Sequence, residues 1–130
     1  MRKSAWAIVL DSEGNVLLLK RAKSCNNAGL YNFPGGTVDK GEKPIDSAKR
    51  ELKEEAGIKA KLKPILNILD KKADKKSFFG VVKVDVRPNV KINDESETYE
   101  WVPLHKVSSY PLHPPTYLFF KALNKNNVNL

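Results

Sequence analysis

Three glutamates, Glu51, Glu54 and Glu55, sit within little more than one helical turn of each other in the segment PIDSAKRELKEEAG. With about 100° between successive helical residues, they share an arc about 100° wide, and Glu51 and Glu55 stand one turn apart with like charge. Left alone, that arrangement is mildly destabilising. Lys49 and Lys53 point elsewhere, and Arg50, four residues before Glu54, is the cation placed to pair with the set. A solvated Glu/Lys helix normally intersperses opposite charges at i,i+4 spacing instead of stacking three carboxylates. A hard divalent cation relieves the repulsion, because Mg2+ takes carboxylate, carbonyl and water oxygens and bridges protein carboxylates to substrate phosphates.

The stretch ahead of this helix, LYNFPGGTVDKGEK, carries Pro34, Gly35, Gly36 and Gly41. It is expected to be a loop whose exposed amides and carbonyls closely approach a diphosphate and its metal. Pro44 suits the first position of the helix, Asp46 adds negative charge to its first turn, and Gly57 is a stop signal, so the helix should run from Pro44 to Ala56. Ile45, Ala48, Leu52 and Ala56 form the apolar stripe that faces a sheet.

The sheet is expected from Ser4–Leu10 and Val16–Arg21, joined by the turn DSEGN, and from Leu62–Leu69 and Phe78–Val86, joined by the basic turn DKKADKK. Tyr99–Pro103 reads as a further short strand, Pro114–Leu123 as a second helix, and NKNNVNL as a frayed tail. Strands interrupted by two helices indicate an α/β sandwich with a mixed sheet, since short hairpin links make neighbours antiparallel and the helical connection allows a parallel pair.

The 130 residues fit one domain, 1–130. With 41% hydrophobic and 29% charged residues the composition is globular, and no apolar run approaches the ~20 residues of a membrane helix. Acidic residues come too early for a signal peptide, and the single cysteine, Cys25, suits a reducing compartment, so a cytoplasmic location without membrane partners is expected. The net charge of +8 favours polyanionic partners, nucleotides and nucleic acids among them, although the lysines scatter along the chain without interleaved aromatics. Tyr31, Phe33, Trp101 and Tyr117 are the side chains that could stack on a nucleobase; aromatics in so small a fold also serve as core.

From Gly36 to Ile58 the sequence GTVDKGEKPIDSAKRELKEEAGI resembles the Nudix box, G-x5-E-x7-R-E-U-x-E-E-x-G-U, where U is a bulky aliphatic residue. It matches at Gly36, Glu42, Arg50, Glu51, Leu52, Glu54, Glu55, Gly57 and Ile58. At ordinary residue usage, a chance match is on the order of one in a billion per starting position. The flanking GLYNFPGG and Trp101-Val102-Pro103-Leu104 are also similar to the family. The resemblance implies a Nudix-type α/β/α sandwich and Mg2+- or Mn2+-dependent hydrolysis of a nucleoside diphosphate linked to another moiety. It implies metal ligation by Glu51, Glu54 and Glu55 with a carbonyl of Gly35, orientation of a glutamate by Arg50, and support from Glu42. A proton acceptor from the box or from a later loop is implied as well, with Glu95 and Glu97 the loop candidates and Glu95 preferred on spacing.

The stretch His113–Tyr117 loosely resembles the start of the last helix in members that cleave oxidised dGTP, where an asparagine reads the purine; here Tyr117 stands at that position. Gly29 and FPGG fit the upstream signature of the coenzyme A hydrolases, but the arginine expected before Gly29 is missing. The leading expectation is therefore a (deoxy)nucleoside triphosphate pyrophosphohydrolase that releases a nucleoside monophosphate, with modest base discrimination. ADP-ribose, dinucleoside polyphosphates and a triphosphorylated RNA 5′ end are alternative substrates, and a non-catalytic Nudix-fold binding module is the alternative class.

Overall fold

Alternation of apolar and polar residues builds the centre of the molecule. A computed structural model describes residues 1–126 and 130. Seven strands form one mixed sheet: β1 (Arg2–Asp11), β2 (Asn15–Arg21), β3 (Tyr31–Asn32), β4 (Gly35–Thr37), β5 (Lys63–Asp70), β6 (Lys75–Val84) and β7 (Ser96–Pro103). The order is β3-β2-β1-β6-β5, with β4 on β1 and β7 on β2. Among these strands the β1–β6 pairing alone is parallel, from Arg2 opposite Lys75 to Asp11 opposite Val84, and a single parallel bridge joins Tyr31 to Leu112. The connection between β1 and β6 carries helix α1 (Pro44–Ala56), as a parallel crossover requires.

Successive side chains of a strand face opposite ways, and both faces of this sheet are apolar. Ala5, Ala7, Val9, Leu17 and Leu19 pack under Ala48, Leu52 and Ala56 of α1. Trp6, Ile8, Leu10, Leu18, Phe33 and Phe79 pack under Phe119 and Leu123 of α2 (Pro114–Asn126). The sheet is thus sandwiched between α1 and α2. No helix among the described residues is long and apolar enough to cross a membrane.

Helix α1 has the bounds its local signals predict. Pro44 opens it, and Gly57, at φ 70°, closes it: the Gly57 N–H donates to the Lys53 carbonyl and the Ile58 N–H to the Leu52 carbonyl. The expected loop after Leu30 is a correction. Tyr31–Asn32 pairs with β2, and Gly35–Thr37 pairs with β1, because the opening β1–β2 hairpin leaves both inner edges free for them. Strand β6 starts earlier and ends earlier than the apolar pattern suggests, since Lys75 and Lys76 pair with Arg2 and Lys3. A 3₁₀ turn, Leu104–Ser109, was not foreseen, and α2 continues to Asn126, past the expected Leu123. Of the expected frayed tail, residues 127–129 lie outside the described residues.

Candidate active site

Strand β4 and helix α1 bring the chemistry together. Gly35 lies so close to β1 that a Cβ would run into the Ala5 carbonyl oxygen and meet the Trp6 Cα at 2.8 Å. That approach aims its N–H at α1, where it donates to Glu55 Oε2 at 3.1 Å. Glu55 is 3% exposed, on the sheet side of α1. Burial, followed by a hydrogen bond and charge repulsion from Glu51 and repulsion from Glu95, holds its carboxyl well above the usual carboxylate range, against the Gly35 N–H. Glu51 lies beside Gly36, where an added Cβ would come within 3.3 Å of its carboxylate carbon.

Arg50 clasps the outer side of this cluster. Its Nη1 donates to Glu51 Oε1 at 2.9 Å and to Glu54 Oε2 at 3.2 Å, and its Nε donates to Glu42 Oε2 at 3.0 Å. Nη2 reaches Glu42 Oε1 at 3.2 Å and Asp39 Oδ2 at 3.3 Å. The planar guanidinium suits this multiple pairing, as a lysine would not. Sequence spacing foresaw the Glu54 contact alone, since Asp39 and Glu42 arrive from the loop that closes against α1.

Loop 93–95 docks beside the same end of α1. Asn93 Nδ2 donates to the Glu54 carbonyl at 3.0 Å, and the Glu95 N–H donates to Asn93 Oδ1 at 3.0 Å. The backbone of Glu95 is fixed by Ala22, whose N–H donates to its carbonyl at 2.9 Å. Glu95 is therefore close enough to act on the acidity of Glu55, whereas Glu97 is drawn to Lys20 at 3.3 Å on β2.

The oxygen donors fit a hard divalent cation: a glycine in place of a side chain leaves room beside Glu51, and two contacting carboxylates there share a site that favours a compensating positive charge. Among the described residues, no three His, Cys, Asp or Glu side chains stand ready at metal-holding spacing. Glu54, whose side chain is 54% exposed, is paired with Arg50 at 3.2 Å.

The aromatic candidates are placed differently. Phe33 is fully buried, edge-on to Phe79 and Phe119, and this corrects its expected place in substrate binding. Tyr31, two residues away on the same face, packs edge-on to Tyr110. Tyr117 is 52% exposed on α2, in a depression with Tyr110, Leu112 and Phe120. All three belong to the α2 side of the sheet, apart from the carboxylates. Trp101 does lie on the α1 side, against that core and under Arg87, 5.2 Å from its ring.

Sequence reasoning missed Asn32. Strand alternation turns it away from Tyr31 and Phe33, onto the α1 side beside Leu19. It is 1% exposed, and its Nδ2 has no hydrogen-bond partner among the described residues. A buried donor of this kind is costly in a finished structure. The signal was present in the sequence: a polar residue between two aromatics just ahead of Gly35.

Comparison with known proteins agrees with this geometry. The model of the NUDIX domain matches residues 1–123. Similar chains include the RNA pyrophosphohydrolase of Bartonella bacilliformis, 36% identical over 64 residues, covering 45% of this chain and 38% of that one. The 8-oxo-dGTP diphosphatase of Haemophilus influenzae is 43% identical over 56 residues, covering 43% of this chain and 41% of that one. The matched region is about two fifths of the length of these curated relatives. Among solved structures, the MutT protein from Methanosarcina mazei is 28% identical, with a TM-score of 0.81, covering 98% of this chain and 96% of that one.

Proposed function

The chain belongs to the Nudix family, and on that premise we propose that it hydrolyses a phosphoanhydride bond in a nucleoside diphosphate derivative, the best-supported substrate being a (deoxy)nucleoside triphosphate. The products are a nucleoside monophosphate and pyrophosphate. The observation that carries this reading is the buried Glu55 carboxyl, which meets Glu51 on one side and the Gly35 N–H on the other. A structural helix has no use for two repelling carboxylates at its core edge; a site that receives positive charge does.

Glu51, Glu54 and Glu55, with a carbonyl of Gly35, are the groups that would hold Mg2+ or Mn2+. When bound, the metal neutralises phosphate oxygens and lowers the pKa of a water. The remaining work belongs to this chain's own residues. Gly36 keeps the space beside Glu51 free of a side chain, and Gly35 packs against β1 and turns its N–H to Glu55. Arg50 fixes the directions of Glu51 and Glu54 and is itself fixed by Glu42. Glu95, exposed and anchored by Asn93, accepts the proton of the attacking water. Water oxygen bonds to phosphorus, the bridging P–O bond breaks, and pyrophosphate leaves.

Product analysis across nucleoside triphosphates, ADP-ribose and diadenosine polyphosphates, with Mg2+ and with EDTA, tests the proposal. It predicts Mg2+-dependent monophosphate and pyrophosphate from the triphosphates. Binding of these ligands with no turnover under either condition would make the chain a binding module instead.

A further inference from the structure

The last turn of a helix leaves carbonyls that no residue of the helix can satisfy. In α1 two of them are satisfied from outside, by the segment that leads into β7. The Ala56 carbonyl accepts from the Lys91 N–H at 2.9 Å, and the Glu54 carbonyl accepts from Asn93 Nδ2 at 3.0 Å. Val90 and Ile92, on either side of Lys91, pack against the α1-side core. Lys91 also closes against the stop signal of the helix, where a Cβ added to Gly57 would stand 3.2 Å from its own Cβ. At its far end the segment is tied to the sheet. The Ala22 N–H donates to the Glu95 carbonyl at 2.9 Å, and β7 begins at Ser96.

Asn93 differs from these backbone ties because it uses both ends of one side chain. Nδ2 grips α1, while Oδ1 accepts the Glu95 N–H at 3.0 Å. The second bond is the turn that asparagine and aspartate form with the backbone two residues on, and the Ser96 N–H donating to the Asn93 carbonyl at 3.2 Å closes it. Holding both partners takes a neutral amide, which carries a donor and an acceptor side by side. Aspartate keeps the acceptor and loses the donor; glutamine is a methylene too long for the turn. Glu95 itself is exposed, and among the described residues no hydrogen bond or ion pair holds its carboxylate. Its place is therefore set by its backbone.

We propose that Asn93 is a positioning residue: by bonding the Glu54 carbonyl and the Glu95 N–H at once, it locks the proton acceptor to the helix that carries Glu51, Glu54 and Glu55. The proposal rests on the reading of Glu95 as the acceptor in the hydrolysis. Asn93 and Glu54 stand 39 residues apart in the chain, so the spacing between acceptor and metal-holding carboxylates is a tertiary property that something has to fix. An acceptor works only within hydrogen-bond reach of its proton, and a misplacement of about 1 Å costs on the order of 10²-fold in rate. Asn93 contributes no chemistry of its own and acts through Glu95.

The test is a double-mutant cycle on kcat for a nucleoside triphosphate, with thermal melting to check folding. Asn93→Ala should lower kcat by about tenfold or more and leave KM within about threefold. In a Glu95→Gln background the same substitution should cost less than about twofold, because the group it positions is already gone. An equal loss in both backgrounds would overturn the proposal, since a residue that only holds the fold together acts whether Glu95 is present or not. Asn93→Asp keeps the turn and drops the grip on α1. Its kcat should fall as well, and a wild-type kcat would overturn the link to the helix. Amide hydrogen exchange reads the geometry without turnover: the Glu95 N–H should be protected in the wild type and in Asn93→Asp, and should exchange at least about tenfold faster in Asn93→Ala. Equal exchange in all three contradicts the positioning role. A wild type that shows this exchange pattern and hydrolyses no nucleotide would instead overturn the hydrolase reading on which the proposal rests.

Discussion

At the residue scale, buried groups with too few partners mark the site more sharply than charge counts do. Asn32 keeps a buried Nδ2 without a partner among the described residues, on the α1 side of the sheet, three residues before Gly35. An unsatisfied buried donor costs about 1–3 kcal/mol, so Asn32→Leu should fold at least as stably as the wild type by thermal melting. If substrate pairs with that donor, the same variant should show a raised KM. An unchanged KM across the nucleotides tested would return Asn32 to the core. Glu95 and Glu97 separate in a similar way. Glu95 lies within electrostatic reach of Glu55 and Glu97 pairs with Lys20, so Glu95→Gln should lower kcat by about 10²-fold or more with little effect on KM, while Glu97→Gln leaves both near normal. Equal losses in the two variants would contradict this division of roles.

At the scale of elements, helix α1 was legible because its signals are local: Pro44 at the start, Gly57 at the end, and an apolar stripe between them. Burial of Leu52 alone contributes about 2 kcal/mol. The arc of three glutamates followed from helical geometry, and so did the Arg50–Glu54 contact. Strands β3 and β4 were illegible because their partners lie elsewhere in the chain: Gly35–Thr37 pairs with Ser4–Trp6, and nothing in PGG announces it. The two adjacent glycines of β4 make different predictions. Gly35→Ala drives a Cβ into the β1 backbone and should destabilise the fold by about 3 kcal/mol or more, visible as a lowered denaturation midpoint. Gly36→Ala meets only the Glu51 side chain at 3.3 Å, so it should melt near the wild type and lose activity instead. A variant Gly35→Ala of normal stability would show that β4 sits farther from β1 than described.

At the scale of the whole molecule, one sheet between two helices keeps the α2 side as core and turns the α1 side into chemistry. At one end of the sheet Asp11 joins the β1–β2 turn to Arg87, three residues beyond the end of the neighbouring strand β6. Arg87 Nε donates to Asp11 Oδ2 at 2.8 Å, and the Asn15 N–H donates to Oδ1 at 2.8 Å. Burial raises the Asp11 carboxyl, but the hydrogen bonds from Asn15, Arg87 and Glu13 outweigh it and bring it down to about 2. A depressed acid contributes stability that is complete above its ordinary value, near 4, and is lost as pH falls towards 2. Asp11→Asn should therefore abolish on the order of 1–2 kcal/mol of the acid sensitivity between those values in denaturant titrations; identical profiles for variant and wild type would show that the tie carries no linkage. The other carboxylates, the Glu51–Glu55 pair and its outer neighbour Glu54 on α1, carry the chemistry proposed for the site. Its most direct measurement is steady-state turnover of a nucleoside triphosphate in saturating Mg2+ by Glu54→Gln and Glu55→Gln, with folding checked by circular dichroism. A native spectrum and a kcat lowered by about 10²–10³-fold or more are expected in each, since Gln keeps the shape and removes the charge that would hold the metal. Near-wild-type Mg2+-dependent turnover in both variants would contradict it.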